Sequence, residues 1–201
     1  ELFAHQLTLA IARQNTRKSK GLPTQGDGTL RARVLGSLPY EPTGAQSRAI
    51  AEIAEDLAQP QRMNRLLQGD VGAGKTLVGA FAAVQAAAGG FQTAFMAPTE
   101  VLARQQFETL DTLLSPLGYT VSVLTGRDKG KVREATLMGL ADGSIQIVAG
   151  THALFQTGVS FANLALTIVD AQHRFGEADR AKLMSKGKAP HTLVMSATPI
   201  P

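Results

Sequence analysis

Apolar residues in this chain follow two alternating periodicities. Short continuous apolar runs predict strands over residues 65–68, 93–97, 120–125, 145–149, 164–170 and 192–196. Between them, helical spacing predicts helices over residues 75–88, 100–114, 131–141 and 178–184. The run Leu164-Ala165-Leu166-Thr167-Ile168-Val169 is apolar without alternation, as a strand covered on both faces requires. Upstream, Thr43 is placed to cap a helix reaching residue 58, whose inner face is Ile50, Ile53, Ala54 and Leu57. A short helix is predicted over residues 30–38. A further amphipathic helix is predicted over 2–14, from Phe3, Leu7, Ala10 and Ile11. Between these two lie Arg17, Lys18 and Lys20, read as a solvated helix end, and a Gly/Pro/Asp-rich loop over 21–28.

Strand alternating with helix implies an α/β domain, a mostly parallel sheet with helices on both faces. Ligands of such sheets bind beyond the carboxyl ends of the strands, so the loops that follow strands are where chemistry is sought.

Composition narrows the picture without deciding it. The 201 residues are 44% hydrophobic and 18% charged, enough apolar side chains for a substantial core and too many for global disorder. Twenty Lys and Arg against sixteen Asp and Glu give +4, which permits a nucleic-acid partner and proves none. There is no cysteine, which excludes disulfides and thiolate metal sites, and four scattered His make a structural zinc site a poor fit. No apolar run reaches the ~18 residues of a membrane span, and no signal-peptide pattern opens the chain. A soluble cytoplasmic protein without a membrane partner is expected. The chain begins at Glu1 and ends just after a Ser-Ala-Thr-Pro segment, and it reads as a piece of a longer protein.

The strongest local signal is Gly69-Asp70-Val71-Gly72-Ala73-Gly74-Lys75-Thr76, between a predicted strand and a predicted helix. Glycines let the backbone turn its N–H groups toward phosphate oxygens at a helix amino end whose dipole favours anions. In that role Lys75 reaches the β- and γ-phosphates of ATP, and the Thr76 hydroxyl ligates Mg²⁺. A second, acidic Mg²⁺ ligand is then needed at the end of another apolar strand, and Asp170 ends the 164–169 run.

Asp170-Ala171-Gln172-His173, with Ser196-Ala197-Thr198 on the next strand, resembles the superfamily 2 helicases of the DEAD/DEAH type. The phosphate loop, Met96-Ala97-Pro98-Thr99-Glu100, Gly150-Thr151-His152-Ala153-Leu154, Gln172-His173-Arg174-Phe175-Gly176 and Met195-Ser196-Ala197-Thr198-Pro199 are together similar to the RecG family of DNA helicases. The resemblance runs from about residue 38 to 201. It implies a RecA-like fold over residues 39–201 and makes residues 1–38 a helical linker, the end of a connection from a wedge domain. It also implies a monomeric partner for branched or forked duplex DNA. The motor's second RecA-like domain is expected outside this chain, among the remaining domains of the parent helicase.

Residue by residue, the resemblance makes Gln46 the adenine-reading glutamine, with Tyr40 as a stacking partner. Pro98 and Thr99 become the grip on one DNA strand, which suits a hydroxyl at a helix start. Thr125, Gly126 and Arg127, with Gly150, Thr151 and His152, extend a sequence-independent phosphate track along the same sheet edge. Arg174 and Phe175 become the loop that couples DNA contact to hydrolysis, while Ser196 and Thr198 connect toward His173. With aromatics at 5% and no Trp, backbone contacts rather than base stacking are expected to dominate.

One departure stands out. The family pattern has glutamate directly after the Mg²⁺ aspartate, and this chain has Ala171. A methyl group can neither orient nor deprotonate the attacking water, and losing a positioned base costs about 10²–10⁴ in rate. Gln172 can orient water but cannot take its proton. Poor hydrolysis with retained ATP binding is expected. Two other readings stay open: a noncatalytic ATP- or DNA-binding module, favoured by Ala171, and a small P-loop kinase, which leaves Ser196-Ala197-Thr198 unexplained.

Overall fold

The computed structural model describes residues 10–13, 23, 28–38, 40–69, 74–170, 185–187 and 190–196. In chain order these form strand β1 (Ala10–Arg13), helices α1 (Gly28–Ser37) and α2 (Gly44–Leu57), strand β2 (Asn64–Gln68), helix α3 (Lys75–Ala88), strand β3 (Gln92–Met96) and helix α4 (Glu100–Leu114). Strand β4 (Val121–Leu124), helix α5 (Gly130–Asp142) and strands β5 (Ile147–Gly150), β6 (Leu164–Asp170) and β7 (His191–Ser196) follow. Short 3-10 turns occupy Ser115–Leu117 and His152–Phe155.

The strands make one sheet in the order β1-β2-β7-β6-β3-β5-β4, parallel from β2 to β4 with β1 antiparallel on the outside. From β2 the chain crosses to β3, lays β4 and β5 beyond it, then returns to fill the gap between β3 and β2 with β6 and β7. This ordering aligns the carboxyl ends. Gln68 pairs with Ser196, Asp170 with Met195, Val169 with Met96, and Gly150 with both Met96 and Leu124.

Successive strand residues serve opposite faces, as a pleated sheet requires. Phe95, Ile147, Ile168 and Leu193 join α2, α3 and α4 in one core, while their neighbours Ala94, Met96, Val148 and Val169 pack with Leu140 of α5 and Leu154 in another. Helix α3 lies especially close to the sheet. A Cβ at Gly79 would stand 2.9 Å from Phe95 Cε1 and 3.3 Å from Ile168 Cδ1, so bare backbone sets that spacing. At the amino end of β3, the buried Gln92 amide donates to the Leu140 and Ile145 carbonyls at 2.9 Å and accepts from Asn163 N–H. Buried His191 accepts from Met63 N–H at Nδ1.

The predicted parallel sheet with helices on both faces is present. The predicted helices over 75–88 and 100–114 and the predicted strand over 164–170 have the observed bounds, and Thr43 caps α2 with a reciprocal capping box to Gln46. The predicted helix over 178–184 lies outside the described residues. The helix predicted over residues 2–14 needs correction, because Ala10–Arg13 is a strand paired with β2 from Ala10↔Gln68 to Arg13↔Arg65. Without it, β2 would present an unpaired ladder at the sheet edge. Four residues carry too little helical preference to outweigh that pairing. No described helix is long and apolar enough to cross a membrane.

Candidate functional site

The loop after β2 begins under restraint from β7, as Gly69 N–H donates to the Ser196 carbonyl at 3.1 Å. At the other end of the loop Gly74 takes φ 76°, the left-handed region, and enters α3 without a side-chain cap. That leaves the amino end of α3 open to an anion. Lys75, the first residue of α3, returns its Nζ to the Gly69 carbonyl at 2.8 Å, so the ammonium spans the mouth of the loop. Thr76 follows, half-buried. Asp70, Val71, Gly72 and Ala73 lie outside the described residues.

Gln46 meets this loop from α2. It is buried, its Oε1 accepts from Thr43 N–H at 2.8 Å, and its Nε2 faces the position where a Cβ on Gly74 would stand. The same residue therefore closes the α2 cap and abuts the start of α3. Tyr40 is more than half exposed.

Asp170 ends β6 two strands from β2, beside the loop. Burial pushes its carboxyl above the usual carboxylate range, against the opposing pull of the Lys75 charge and a hydrogen bond from Gln106 Nε2 at 3.3 Å. Gln106 was not anticipated from the sequence. Its signal is a polar residue within the apolar stripe Ala103, Gln106, Leu110, Leu114 on the inner face of α4.

The next loops along the same edge share a network of charges. Thr99 caps α4, its hydroxyl accepting from Leu102 N–H at 3.3 Å, and it is exposed beside half-buried Pro98. Glu100 contacts Arg104 Nε at 3.3 Å and Arg127 Nε at 3.0 Å. Asp128 accepts from Thr125 N–H at 2.7 Å, from the Thr125 hydroxyl at 3.1 Å and from Arg104 Nη2 at 3.1 Å. Burial alone would raise the Asp128 carboxyl, but these donors hold it below its ordinary value. Thr125 is fully buried and its hydroxyl is committed to this network, while Gly126 and Arg127 are exposed. Arg104 and Asp128 were also missed, because only folding brings the two loops together.

At the end of β5, Gly150 is buried with its Cβ position against the Leu124 carbonyl and Leu154, which lets β4, β5 and the following turn close up. Thr151 caps that turn, accepting from Ala153 N–H, and exposed His152 stacks edge-on with Phe155 at 5.8 Å between centroids. Ser196 is buried at the end of β7. Ala171, Gln172, His173, Arg174, Phe175 and Thr198 lie outside the described residues.

The sheet edge thus brings together Gly69, Gly74, Lys75 and Thr76 with Asp170 and Ser196 at one end, and Thr99, Arg127, Thr151 and His152 at the other. Among the described residues no cluster of three or more His, Cys, Asp or Glu could hold a metal. The donors at the loop are hydroxyl and carboxylate oxygens, a set that suits Mg²⁺, which uses one or two protein ligands together with substrate phosphates.

Comparison with known proteins gives a consistent result. The model of the family described as DEAD/DEAH box helicase matches residues 43–201. The ATP-dependent DNA helicase RecG of Escherichia coli (strain K12) is 47% identical, the match covering 100% of this chain and 30% of that protein. The ATP-dependent DNA helicase RecG of Thermotoga maritima is 46% identical, covering 100% of this chain and 26% of that protein. A solved structure of RecG bound to a three-way DNA junction superposes with a TM-score of 0.80 at 46% identity, over 90% of this chain and 24% of that one. The helicase MrfA bound to DNA, at TM-score 0.52 and 16% identity, covers 68% of this chain and 21% of that one and shares the fold. The chain spans less than a third of the length of these curated relatives.

Proposed function

Because the chain belongs to the DEAD/DEAH box helicase family, we propose that it is the first RecA-like, ATP-binding motor domain of a RecG-type DNA helicase. Its parent couples ATP hydrolysis to the remodelling of branched DNA in the cytoplasm, acting as a monomer. The observation that carries this reading is the single sheet edge, with an anion-ready loop and carboxylate at one end and exposed polar loop residues at the other. Residues 39–201 form the motor domain, and residues 1–38 are the connection from the preceding domain.

The chain's own groups divide the work. Lys75, now on the Gly69 carbonyl, exchanges that partner for the β- and γ-phosphates, and the amino end of α3 receives the remaining phosphate charge. Gln46 is fixed at the same loop and reads the base. Thr76 and Asp170 would hold Mg²⁺, which when bound offsets charge on the phosphate oxygens. Ser196 and Thr198 link this end toward His173. Along the edge, Pro98, Thr99, Gly126, Arg127, Thr151 and His152 meet DNA phosphates, with Thr125 and Gly150 shaping the loops that carry them. Arg174 and Phe175 connect DNA contact to hydrolysis.

Ala171 limits the chemistry. Binding and orientation remain, but no carboxylate stands next to Asp170 in sequence to take the proton of the attacking water. A second reading follows from the same residue: a motor lobe that switches on ATP binding without turnover. The test is ATP hydrolysis by the full-length parent, with and without branched DNA, comparing Ala171 with Ala171→Glu. DNA-stimulated turnover that rises about 10²–10⁴-fold with glutamate supports both the motor and the defect. Equal turnover in both forms overturns the role of Ala171, and phosphate transfer to a small metabolite without DNA stimulation overturns the motor.

A further inference from the structure

Gln106 occupies a position where packing alone asks for an apolar side chain. It lies between Ala103 and Leu110 on the inner face of α4, and it is only 7% exposed. Its Nε2 donates to Asp170 Oδ2 at 3.3 Å, whereas its Oε1 is buried without a hydrogen-bond partner among the described residues. Leaving a buried acceptor unmet costs free energy that leucine or methionine at this position would avoid. The amide is therefore not explained by stability of the folded chain, and among the described residues its single polar contact is the carboxylate at the nucleotide loop.

We propose that Gln106 is a positioning residue for the metal-binding carboxylate: its amide N–H fixes the orientation of Asp170. The proposal rests on the reading of Asp170 as a Mg²⁺ ligand. Metal ligands are commonly oriented by just such outer hydrogen bonds, whose loss costs 10–100-fold in metal affinity. The supporting residue sits two turns into the helix that Thr99 caps, so the carboxylate is braced by the element whose amino end lies in the polar loop edge.

The test uses Mn²⁺ as the probe ion, titrated into the 201-residue chain with ADP and followed by the electron paramagnetic resonance signal of free Mn²⁺. Gln106→Met should weaken Mn²⁺ binding 10–100-fold while metal-free ADP affinity, measured with EDTA, stays within twofold and the melting temperature holds or rises. A purely structural glutamine gives the opposite pattern, a lower melting temperature with unchanged Mn²⁺ affinity, and overturns the proposal. Should the methionine variant fail to fold, Gln106→Asn, which withdraws the amide by one methylene, carries the same expectation and the same overturning result. Absence of Mn²⁺ binding by the unsubstituted chain with ADP overturns the metal reading of Asp170 and this proposal together. Binding that Gln106→Met leaves within twofold overturns this proposal alone.

Discussion

Arg104 and Asp128 meet at 3.1 Å, joining helix α4 to the loop that follows β4. The two partners contribute unequally. Asp128 also holds Thr125 through its backbone N–H and its hydroxyl, and its side chain is 13% exposed, against 42% for Arg104. Replacing Asp128 with Ala leaves the buried Thr125 N–H unmet, while the hydroxyl keeps Glu100 Oε1 at 3.4 Å, and should cost about 1–3 kcal/mol. Arg104→Ala loses two solvent-screened pairs, to Asp128 and to Glu100, and should cost about 1 kcal/mol or less. Urea denaturation of the single variants and the double variant checks both values. A larger cost for Arg104→Ala would show that the pair, not the turn, carries the loop.

The same carboxylate sets an acid limit. Its folded value lies below the ordinary one, so its contribution is fully present above the unfolded carboxylate value near ~3.9 and is lost as pH falls through the lower folded value. The stability of the unsubstituted chain should therefore fall more steeply than that of Asp128→Asn below about pH 4. Urea midpoints at pH 3 and pH 6 for the two proteins measure the difference, and parallel falls would contradict it.

Gly79 sets two effects against each other. Alanine in mid-helix is favoured over glycine by about 1 kcal/mol. Here its Cβ would press on the Phe95 ring at 2.9 Å, with Ile168 behind at 3.3 Å, and overpacking of this kind costs about 1–3 kcal/mol. The ring is fully buried and has little room to yield. Gly79→Ala should be destabilising on balance, by about 1 kcal/mol, with a lower thermal midpoint. A higher midpoint would mean that α3 can lift from the sheet.

These contacts mark how far the sequence alone could be read. Continuous apolar runs such as residues 164–169 and the caps at Thr43 and Thr99 act over a few residues, so the sheet, the helices and the order of loops were legible. The glycine-rich segment 69–76 and Asp170 were legible as candidates for the same reason, each being a local pattern at a strand end. Gln106, Arg104 and Asp128 were not, because their partners lie in other segments and only the insertion of β6 and β7 between β2 and β3 brings Gln106 to Asp170. Ala10–Arg13 was misread because its conformation follows from the open edge of β2 rather than from its own four residues.

Gly74 combines two constraints that can be separated. Its φ of 76° disfavours any side chain, by about 1–2 kcal/mol for alanine, and a Cβ there would also meet Gln46 Nε2. The second obstacle is the far end of a long side chain, but moving it disturbs the Oε1 bond to Thr43 N–H that completes the α2 cap. Gly74→Ala should therefore destabilise the nucleotide-free chain by about 1–2 kcal/mol from backbone strain, plus a smaller share from Gln46. In the Gln46→Ala background only the backbone share remains, so the coupling between the two substitutions should sit at the low end for touching residues, about 0.5 kcal/mol. Denaturation of the four proteins gives that coupling directly. A value above about 2 kcal/mol would mean that Gln46 is held too firmly to move and that the glycine is needed for contact more than for its backbone angle.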